Sequence, residues 1–199
     1  MIVYKKKKGY EMEKRLTIPA ADAEIQELRA GDMLYITGTI YTARDAAHKR
    51  MFDTLNEGGE LPYDIDGSFV YYLGPTPARP GQVIGSAGPT TSSRMDKYTP
   101  LLLSKGLKGM IGKGKRSPEV VDAIVKNKAV YMAAIGGLGA LLSKRIVKSE
   151  VIAYDDLGTE AIRKLTVEEL PVVVIIDSEG NNLYETAAED YIRSLSAKE

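Results

Sequence analysis

The chain has 199 residues, with 27 basic and 27 acidic side chains and 44% hydrophobic residues. A chain of this length and composition can bury its own core, so we expect one domain. The balanced charge argues against a surface that binds nucleic acid. With no cysteine and one histidine, His48, the chain offers no disulfide, no thiolate metal site and no multi-histidine metal site, so we expect no metal ligands.

The N-terminal residues differ from the rest because four lysines occupy positions 5–8. This region lacks the apolar segment of a signal peptide. The longest apolar run, 132–142, is too short for a membrane span and is interrupted by glycines. We therefore expect a cytoplasmic protein with no membrane partner. It would have an N-terminal extension over 1–15, disordered or tag-like, and a single domain over 16–199. Met12 is an alternative start, because the patterned sequence begins just after it.

Apolar stretches typical of strands alternate with amphipathic stretches along the domain, separated by glycine, proline and asparagine. This alternation predicts an α/β fold, with a layered sheet that pairs in parallel at its centre and has flanking helices. The predicted strands are 33–40, 69–73, 82–86, 107–111, 129–134, 147–154 and 172–176, and the predicted helices are 20–29, 44–55, 91–105, 117–126 and 187–195.

One predicted strand-to-helix junction, 88–96, is rich in hydroxyl groups. Its residues Thr90 to Ser93 place four hydroxyls at the start of a predicted helix. Free N–H groups and the dipole attract anions to such a helix end. Arg94 adds a planar fork suited to a carboxylate. On this segment alone, an anion site and a plain helix cap with a surface arginine stay equally open.

A second junction, 38–50, places Arg44 in the first turn of a predicted helix, where a cation opposes the helix dipole. A residue that breaks a local rule is a candidate for function, although surface arginines are also common there. His48 follows one turn later on the same face. A lone histidine is more often structural than functional.

Two glycine-rich segments follow later strands. In 109–116, Lys113 stands between two glycines, but the segment fails as a Walker loop because Gly114 stands where a hydroxyl residue should follow the lysine. It is either a lysine turn that a small anion can approach or an ordinary basic turn. In 133–140, the glycines favour close packing of a helix on the sheet over contact with a ligand or a subunit.

Four of these features together resemble the β subunit of class I fumarate hydratases and tartrate dehydratases. They are Gly31-Asp32 with the strand that follows, 43–48 (ARDAAH), 88–96 (GPTT and RMD) and 111–114 (IGKG). The resemblance runs from about residue 16 to about residue 185. It implies the swivelling β/β/α fold, which agrees with the alternation of elements. In single-chain relatives this domain follows a larger one that binds a [4Fe-4S] cluster through three cysteines. Here the resemblance implies that a separate α subunit carries the cluster, in an α2β2 heterotetramer.

The resemblance also implies an activity, the reversible addition of water to a C4 dicarboxylate, with fumarate favoured over L-tartrate. The open iron on the partner would act as the Lewis acid. Arg44, Arg94 and Lys113 match the family's carboxylate ligands. Thr90 matches the hydroxyl proposed as the base, and Thr91 is expected to assist it in binding substrate.

The alternative from a different class is a non-catalytic domain of this fold that binds a dicarboxylate or regulates a partner. The presence of Arg44, Thr90, Arg94 and Lys113 together favours the enzyme. His48 is not carried over as a catalytic residue.

Overall fold

The computed structural model describes residues 3–6, 12–135 and 137–196. Strands and helices alternate through most of this part of the chain, and 3₁₀ segments lie at Ser92–Met95, Ser143–Arg145 and Asp155–Glu160. The strands are β1 (Val3–Lys6), β2 (Met12–Ile18), β3 (Met33–Thr42), β4 (Phe69–Tyr71), β5 (Gly109–Gly112), β6 (Val130–Ala133), β7 (Ile146–Ala153) and β8 (Ile162–Ile176), and the helices are α1 (Asp22–Gln26), α2 (Asp45–Asn56), α3 (Thr99–Ser104), α4 (Pro118–Asn127), α5 (Gly139–Leu142) and α6 (Leu183–Ser196).

These strands form one sheet of eight, in the order β1-β2-β3-β4-β5-β6-β8-β7. The neighbours from β2 to β6 pair in parallel, as predicted for the centre of the sheet. Strand β8 is antiparallel to β3, β6 and β7. Because β8 pairs with both β3 and β6, it closes five strands into a ring. The predicted α/β fold with a layered sheet and flanking helices is confirmed, and the arrangement is consistent with the β/β/α domain.

Two hydrophobic cores lie on opposite faces of the central strands. Along β4, Phe69 and Tyr71 belong to one core and Val70 to the other, as the alternation of side chains along a strand requires. The first core includes apolar residues of β2 and α1, and the second includes those of α2, α3 and α4. Central parallel strands buried on both faces leave the loops at their carboxyl ends as the exposed surface. Among the described residues, no helix combines the length and apolar character of a membrane span.

Two predicted elements are wrong. The segment 82–86 is irregular rather than a strand: it lies against Thr76, whose hydroxyl accepts the N–H of Ser86 at 2.8 Å. A side-chain acceptor of this kind competes with a sheet partner. The helix predicted over 91–105 is a single 3₁₀ turn followed by the short helix α3. Pro100 lies in the first turn of α3 and opposes a continuous helix through the preceding residues, because it has no N–H and its ring clashes with the preceding turn.

Other elements are longer than the sequence predicts. Strand β8 begins at Ile162 rather than 172, and α6 begins at Leu183 rather than 187. Within the predicted extension 1–15, residues 3–6 form β1, which pairs antiparallel with β2 beginning at Met12. Residues 12–15 of that extension belong to β2, and residues 1–2 and 7–11 lie outside the described part of the chain.

Candidate active site

The segments singled out in the sequence meet at the carboxyl ends of β3, β4 and β5. Arg44 follows β3, Tyr72 follows β4 and Lys113 follows β5. Parallel neighbours end at the same edge of a sheet, and that edge is where open α/β sheets bind ligands. The parallel order of these strands therefore explains why segments far apart in sequence share one surface.

Residues 90–94 form the turn that carries the threonines, called the threonine turn or the Thr90–Arg94 turn below. Backbone hydrogen bonds fix this turn between β4 and β5. The N–H of Thr90 donates to the carbonyl of Tyr72 at 2.7 Å, and the N–H of Ser92 donates to that of Lys113 at 2.9 Å. Thr91 and Lys113 form a parallel bridge. Thr90 is partly buried, whereas Thr91 and Lys113 are exposed. Among the described residues, nothing hydrogen-bonds the Thr90 hydroxyl or pairs with the Lys113 ammonium.

Arg94 connects this turn to helix α2. Its Nε donates to Oδ1 of Asp45, the first residue of α2, at 2.7 Å. The Arg94 side chain is 50% exposed, and within the described chain its terminal nitrogens have no partner. The fork of the guanidinium is therefore accessible to a ligand while its stem is held.

Arg44 is the N-cap residue of α2 and is more buried, at 21% exposure. Its Nη2 lies 3.6 Å from Oε1 of Glu160, whose other oxygen accepts the N–H of Ala46 at 2.8 Å. Its Nε is buried and has no partner among the described residues. A Cβ at Gly74 would lie 2.3 Å from Nη1 of Arg44, so only glycine there leaves room for the arginine. The structure thus brings all five predicted site residues to one edge, and their roles stay predictions.

The electrostatic argument based on a helix N-terminus is wrong for this turn. The 3₁₀ turn Ser92–Met95 has four residues and no side-chain cap at Thr91, so it provides no helix of the predicted length to stabilise an anion. Ser92 is buried and hydrogen-bonded to Tyr131 and Lys113 rather than turned toward a ligand. Positive charge at this edge comes from side chains instead.

The sequence favoured packing of a helix on the sheet by the glycines of 133–140, but the two that the structure describes, Gly137 and Gly139, do not have this role. Gly139 packs against the loop before the threonine turn: its added Cβ would lie 2.9 Å from the nitrogen of Gly88, and its carbonyl accepts the N–H of Ala87 at 2.9 Å. Gly136 lies outside the described residues. The small residues therefore allow two loops to approach beside the site.

Sequence reasoning missed the partners of the two arginines. Asp45 lies within the segment 43–48 and could have been noted there as an acidic neighbour of Arg44. Glu160 gave no signal, because it lies 114 residues from Ala46 in sequence. Asp96 lies within the segment 88–96 and Arg116 within 109–116, but nothing in the sequence indicates that they form an ion pair, with an Nε–Oδ1 distance of 2.7 Å.

His48 is wholly buried next to the site. Its Nδ1 lies 3.0 Å from the carbonyl oxygen of Arg44, so Nδ1 carries the proton, and Nε2 is buried with no partner among the described residues. The ring packs edge-on against Tyr72. Burial lowers the pKa of His48 from 6.5 to about 4. A neutral, buried ring of this kind fits the structural role that the sequence favoured.

This lowered pKa predicts a loss of stability in mild acid. The unfolded chain binds a proton at His48 below about pH 6.5, whereas the folded chain does so only near pH 4. The neutral ring therefore contributes to the free energy of unfolding above pH 6.5, and this contribution is lost as the pH falls toward 4. Between about pH 7.5 and pH 4.5 the free energy of unfolding should fall by about 2.5 kcal/mol more in the parent than in His48→Gln, because glutamine does not titrate. Urea unfolding at both pH values checks this, and equal losses in the two proteins would contradict it.

Comparisons with known proteins show which family the chain resembles. Residues 3–187 match the family described as Fumarase C-terminus. The chain is 39% identical over 165 residues to the anaerobic class I fumarate hydratase of Escherichia coli K12, a match that covers 82% of this chain and 30% of the relative. It thus spans less than a third of that protein.

Two further relatives are matched over most of their own length. The chain is 35% identical to the putative L(+)-tartrate dehydratase subunit beta of Methanocaldococcus jannaschii, over 81% of this chain and 86% of the relative. It is 33% identical to the L(+)-tartrate dehydratase subunit beta of Escherichia coli K12, over 86% and 87% respectively. By the extent of these matches, the chain belongs to the fumarase C-terminal family.

Proposed function

We propose that this chain is the β subunit of a two-subunit hydro-lyase that hydrates fumarate reversibly to L-malate. The observation that carries the proposal is the placement of Arg44, Thr90, Arg94 and Lys113 at one edge of the sheet. The match to β subunits over 86–87% of their length supports the subunit assignment.

Three cations at this edge suit a substrate with two carboxylates. An arginine can hold a carboxylate with two parallel hydrogen bonds, which fixes its orientation as well as its position. Arg94 offers its terminal nitrogens, and Arg44 is held by Glu160 only at 3.6 Å. Lys113 adds a point charge on the turn that faces Thr91. Together they would fix the dicarboxylate relative to the threonine turn.

Thr90 is proposed to move the proton at the reacting carbon. A threonine hydroxyl is a weak base that needs nearby positive charge to ionise. Arg94 and Lys113 flank the turn and would supply that charge. Thr91, exposed beside it, would bind substrate. Hydrogen bonding to substrate alone is the alternative role for Thr90.

The donor atoms of this chain do not fit an iron–sulfur cluster. The sequence has no cysteine. Its single histidine is buried with one nitrogen bonded to a backbone carbonyl. In the described residues, no three acidic, histidine or cysteine side chains are grouped to hold a metal ion. We therefore propose that a separate α subunit binds the [4Fe-4S] cluster and assembles with this chain as an α2β2 heterotetramer.

The test is reconstitution. The chain expressed alone should show no hydration of fumarate, because it has no thiolate to bind the cluster. Co-expression with an α subunit should give a complex that contains iron and converts fumarate to L-malate. The measurement is turnover per mole of pure protein, together with its iron content. Turnover by the metal-free single chain would contradict the proposal.

Action on L-tartrate is the second candidate, because two tartrate dehydratase β subunits, from different organisms, are matched over most of their length. The ratio of kcat/KM for fumarate and L-tartrate in the assembled complex decides between them. If an iron-replete complex converts neither substrate yet binds a C4 dicarboxylate, the chain is a non-catalytic binding or regulatory domain.

A further inference from the structure

A buried charged cluster lies beneath the site edge and has no part in the proposed chemistry. Its centre is Arg116, whose side chain is 0% exposed. Nε donates to Oδ1 of Asp96 at 2.7 Å, Nη2 donates to Oγ1 of Thr99 at 2.8 Å, and Nη1 donates to the Tyr72 hydroxyl at 3.3 Å. The guanidinium also lies between two rings, 5.3 Å from the centroid of Tyr72 and 5.0 Å from that of Tyr131. We refer to Arg116, Asp96, Thr99, Tyr72 and Tyr131 as the Arg116 cluster.

Two partners of Arg116, Asp96 and Tyr72, are connected to candidate site residues by the backbone. Asp96 follows directly the 3₁₀ turn that contains Arg94. The carbonyl of Tyr72 accepts the N–H of Thr90 at 2.7 Å. The other carboxylate oxygen of Asp96 accepts the N–H of Ser117, which joins the threonine turn to the start of α4.

A relay of hydrogen bonds connects Tyr131 to the lysine turn. The N–H of Lys113 donates to Oγ of Ser92 at 3.0 Å, and the Tyr131 hydroxyl donates to the carbonyl of Gly114 at 2.8 Å. Oγ of Ser92 lies 2.9 Å from the hydroxyl oxygen of Tyr131. Because the phenolic proton is directed to Gly114, the Ser92 hydroxyl is the donor between them. A Cβ at Gly112 would lie 2.0 Å from Oγ of Ser92, so glycine there allows this contact.

A buried ion pair of this kind is a poor source of stability. Removing both charges from water costs about as much as their attraction returns, and apolar replacements are often as stable. A guanidinium with its donors in one plane, held between two rings, instead defines a fixed geometry. The cluster joins the two turns that carry Thr90, Arg94 and Lys113, so geometry at the site is what it can control.

We propose that Arg116 is a positioning residue that holds the Thr90–Arg94 turn and the Lys113 turn in register, through Asp96, Tyr72, Thr99 and the Tyr131–Ser92 relay. It contacts no substrate. For its effect on catalysis this inference rests on the proposed function, but its effect on the two turns can be measured without any activity.

The first test is amide hydrogen exchange in the whole chain carrying Arg116→Lys. Lysine keeps the charge but cannot bond Asp96, Thr99 and Tyr72 in one plane. The amides of Ser92 and Lys113 should exchange at least ~10-fold faster than in the parent, the factor expected for loss of hydrogen bonds to a charged group. Amides in β3 should keep their rates. The matched control is Arg50→Lys, since Arg50 also bonds a carboxylate, that of Asp156 at 2.8 and 2.7 Å, and also lies over a tyrosine ring.

Parental rates at both amides would overturn the proposal, and so would equal acceleration in β3, because a purely structural role lowers global stability for all amides. If Arg116→Lys does not fold, Thr99→Val decides. It removes one hydroxyl of nearly unchanged shape and should give a smaller acceleration confined to the two turns. Parental exchange in that variant likewise overturns the inference.

The second test is a double-mutant cycle in the assembled complex. Arg116→Lys should lower kcat with little change in KM. In a Lys113→Ala background its further effect should be smaller, because one of the two turns that it holds in register has lost its substrate ligand. In an Arg44→Ala background its full effect should remain, since the Arg44 side chain contacts Glu160 and Gly74 rather than the cluster. Equal effects in both backgrounds would overturn the proposal. A parent complex that converts neither dicarboxylate would contradict only the proposed function, and hydrogen exchange would still decide the inference.

Discussion

Replacing Thr90 by valine should lower kcat of the assembled complex by at least ~100-fold, the lower range for loss of a general base. Valine nearly preserves the shape of threonine, and the backbone N–H of residue 90 would still donate to Tyr72. KM should change much less, because Arg44, Arg94 and Lys113 would still hold both carboxylates. Steady-state kinetics with fumarate and L-malate provide the measurement.

Two further variants separate the base from a ligand. Thr90→Ser keeps the hydroxyl and should retain most of the activity. Thr91→Val should have a smaller effect than Thr90→Val, since Thr91 is exposed and water can replace its hydroxyl. A loss confined to KM would show that Thr90 only binds substrate, because uniform binding affects KM alone. Solvent-deuterium exchange at C3 of malate is then measured with the Thr90→Val complex. Exchange at the parental rate would show that Thr90 is not the base and that the α subunit supplies the base.

The parallel strands from β3 to β6 were predictable because their signals are local, whereas β2 was not predicted. Short apolar runs separated by glycine and proline identify β3, β5 and β6 within two residues at either end. The ring closed by β8 was not predictable, because it depends on pairs such as Met33 with Val173 that lie far apart in sequence. The length of β8 was also not predictable, because proline within an apolar run, here Pro171, argues against a central strand. In the structure Pro171 faces Tyr35 of β3 within the ladder.

The broken helix over 91–105 shows where local signals mislead. The apolar spacing from Met95 to Leu102 is helical, but the hydroxyl residues before Met95 do not continue a helix. The hydrogen bond between Ser92 and Tyr131, and the one that Arg116 donates to Asp96, fix that stretch as a 3₁₀ turn instead. Tertiary contacts, rather than local helix propensity, determine the structure of this segment.

For the site, sequence could identify the cations and the threonines but not what holds them. Arg44, Arg94 and Lys113 stand in recognisable segments. Their supports, Glu160 and the Arg116 cluster, come together only through contacts between residues that are far apart in the sequence. The sequence also does not show which charged residues are buried. In the sequence, Arg116 is indistinguishable from the other basic residues of its turn.

Both candidate arginines are paired with a protein carboxylate, and the two pairs differ in strength. Arg94 is bonded through Nε at 2.7 Å, which leaves its terminal nitrogens for a ligand. Arg44 is 3.6 Å from Glu160, a contact beyond hydrogen-bond distance. The contact of Arg94 with Asp45 orients the guanidinium without using its bidentate edge. Arg94 is therefore the residue at which loss of the fork, rather than loss of charge, should be felt.

Arg94→Lys should lower kcat/KM of the assembled complex. The corresponding loss of transition-state stabilisation should be about 1.5–3 kcal/mol, the scale of a hydrogen bond to a charged group. Lysine keeps the positive charge but cannot bond Asp45 and a substrate carboxylate in one plane. The Arg94 side chain is 50% exposed, so the fold should tolerate the change with little shift in Tm. Kinetics with fumarate, together with thermal unfolding of each variant, give the two readouts.

Asp45→Asn is the matched control for this prediction. It leaves the fork of Arg94 intact and removes only the charge that orients it, so its cost in kcat/KM should be smaller than that of Arg94→Lys. If Arg94→Lys equals the parent in both kcat and KM, Arg94 is not a bidentate ligand. A cost from Asp45→Asn that equals or exceeds that of Arg94→Lys would instead assign the effect to the ion pair with α2, because the variant that keeps the fork would then lose as much as the variant that removes it.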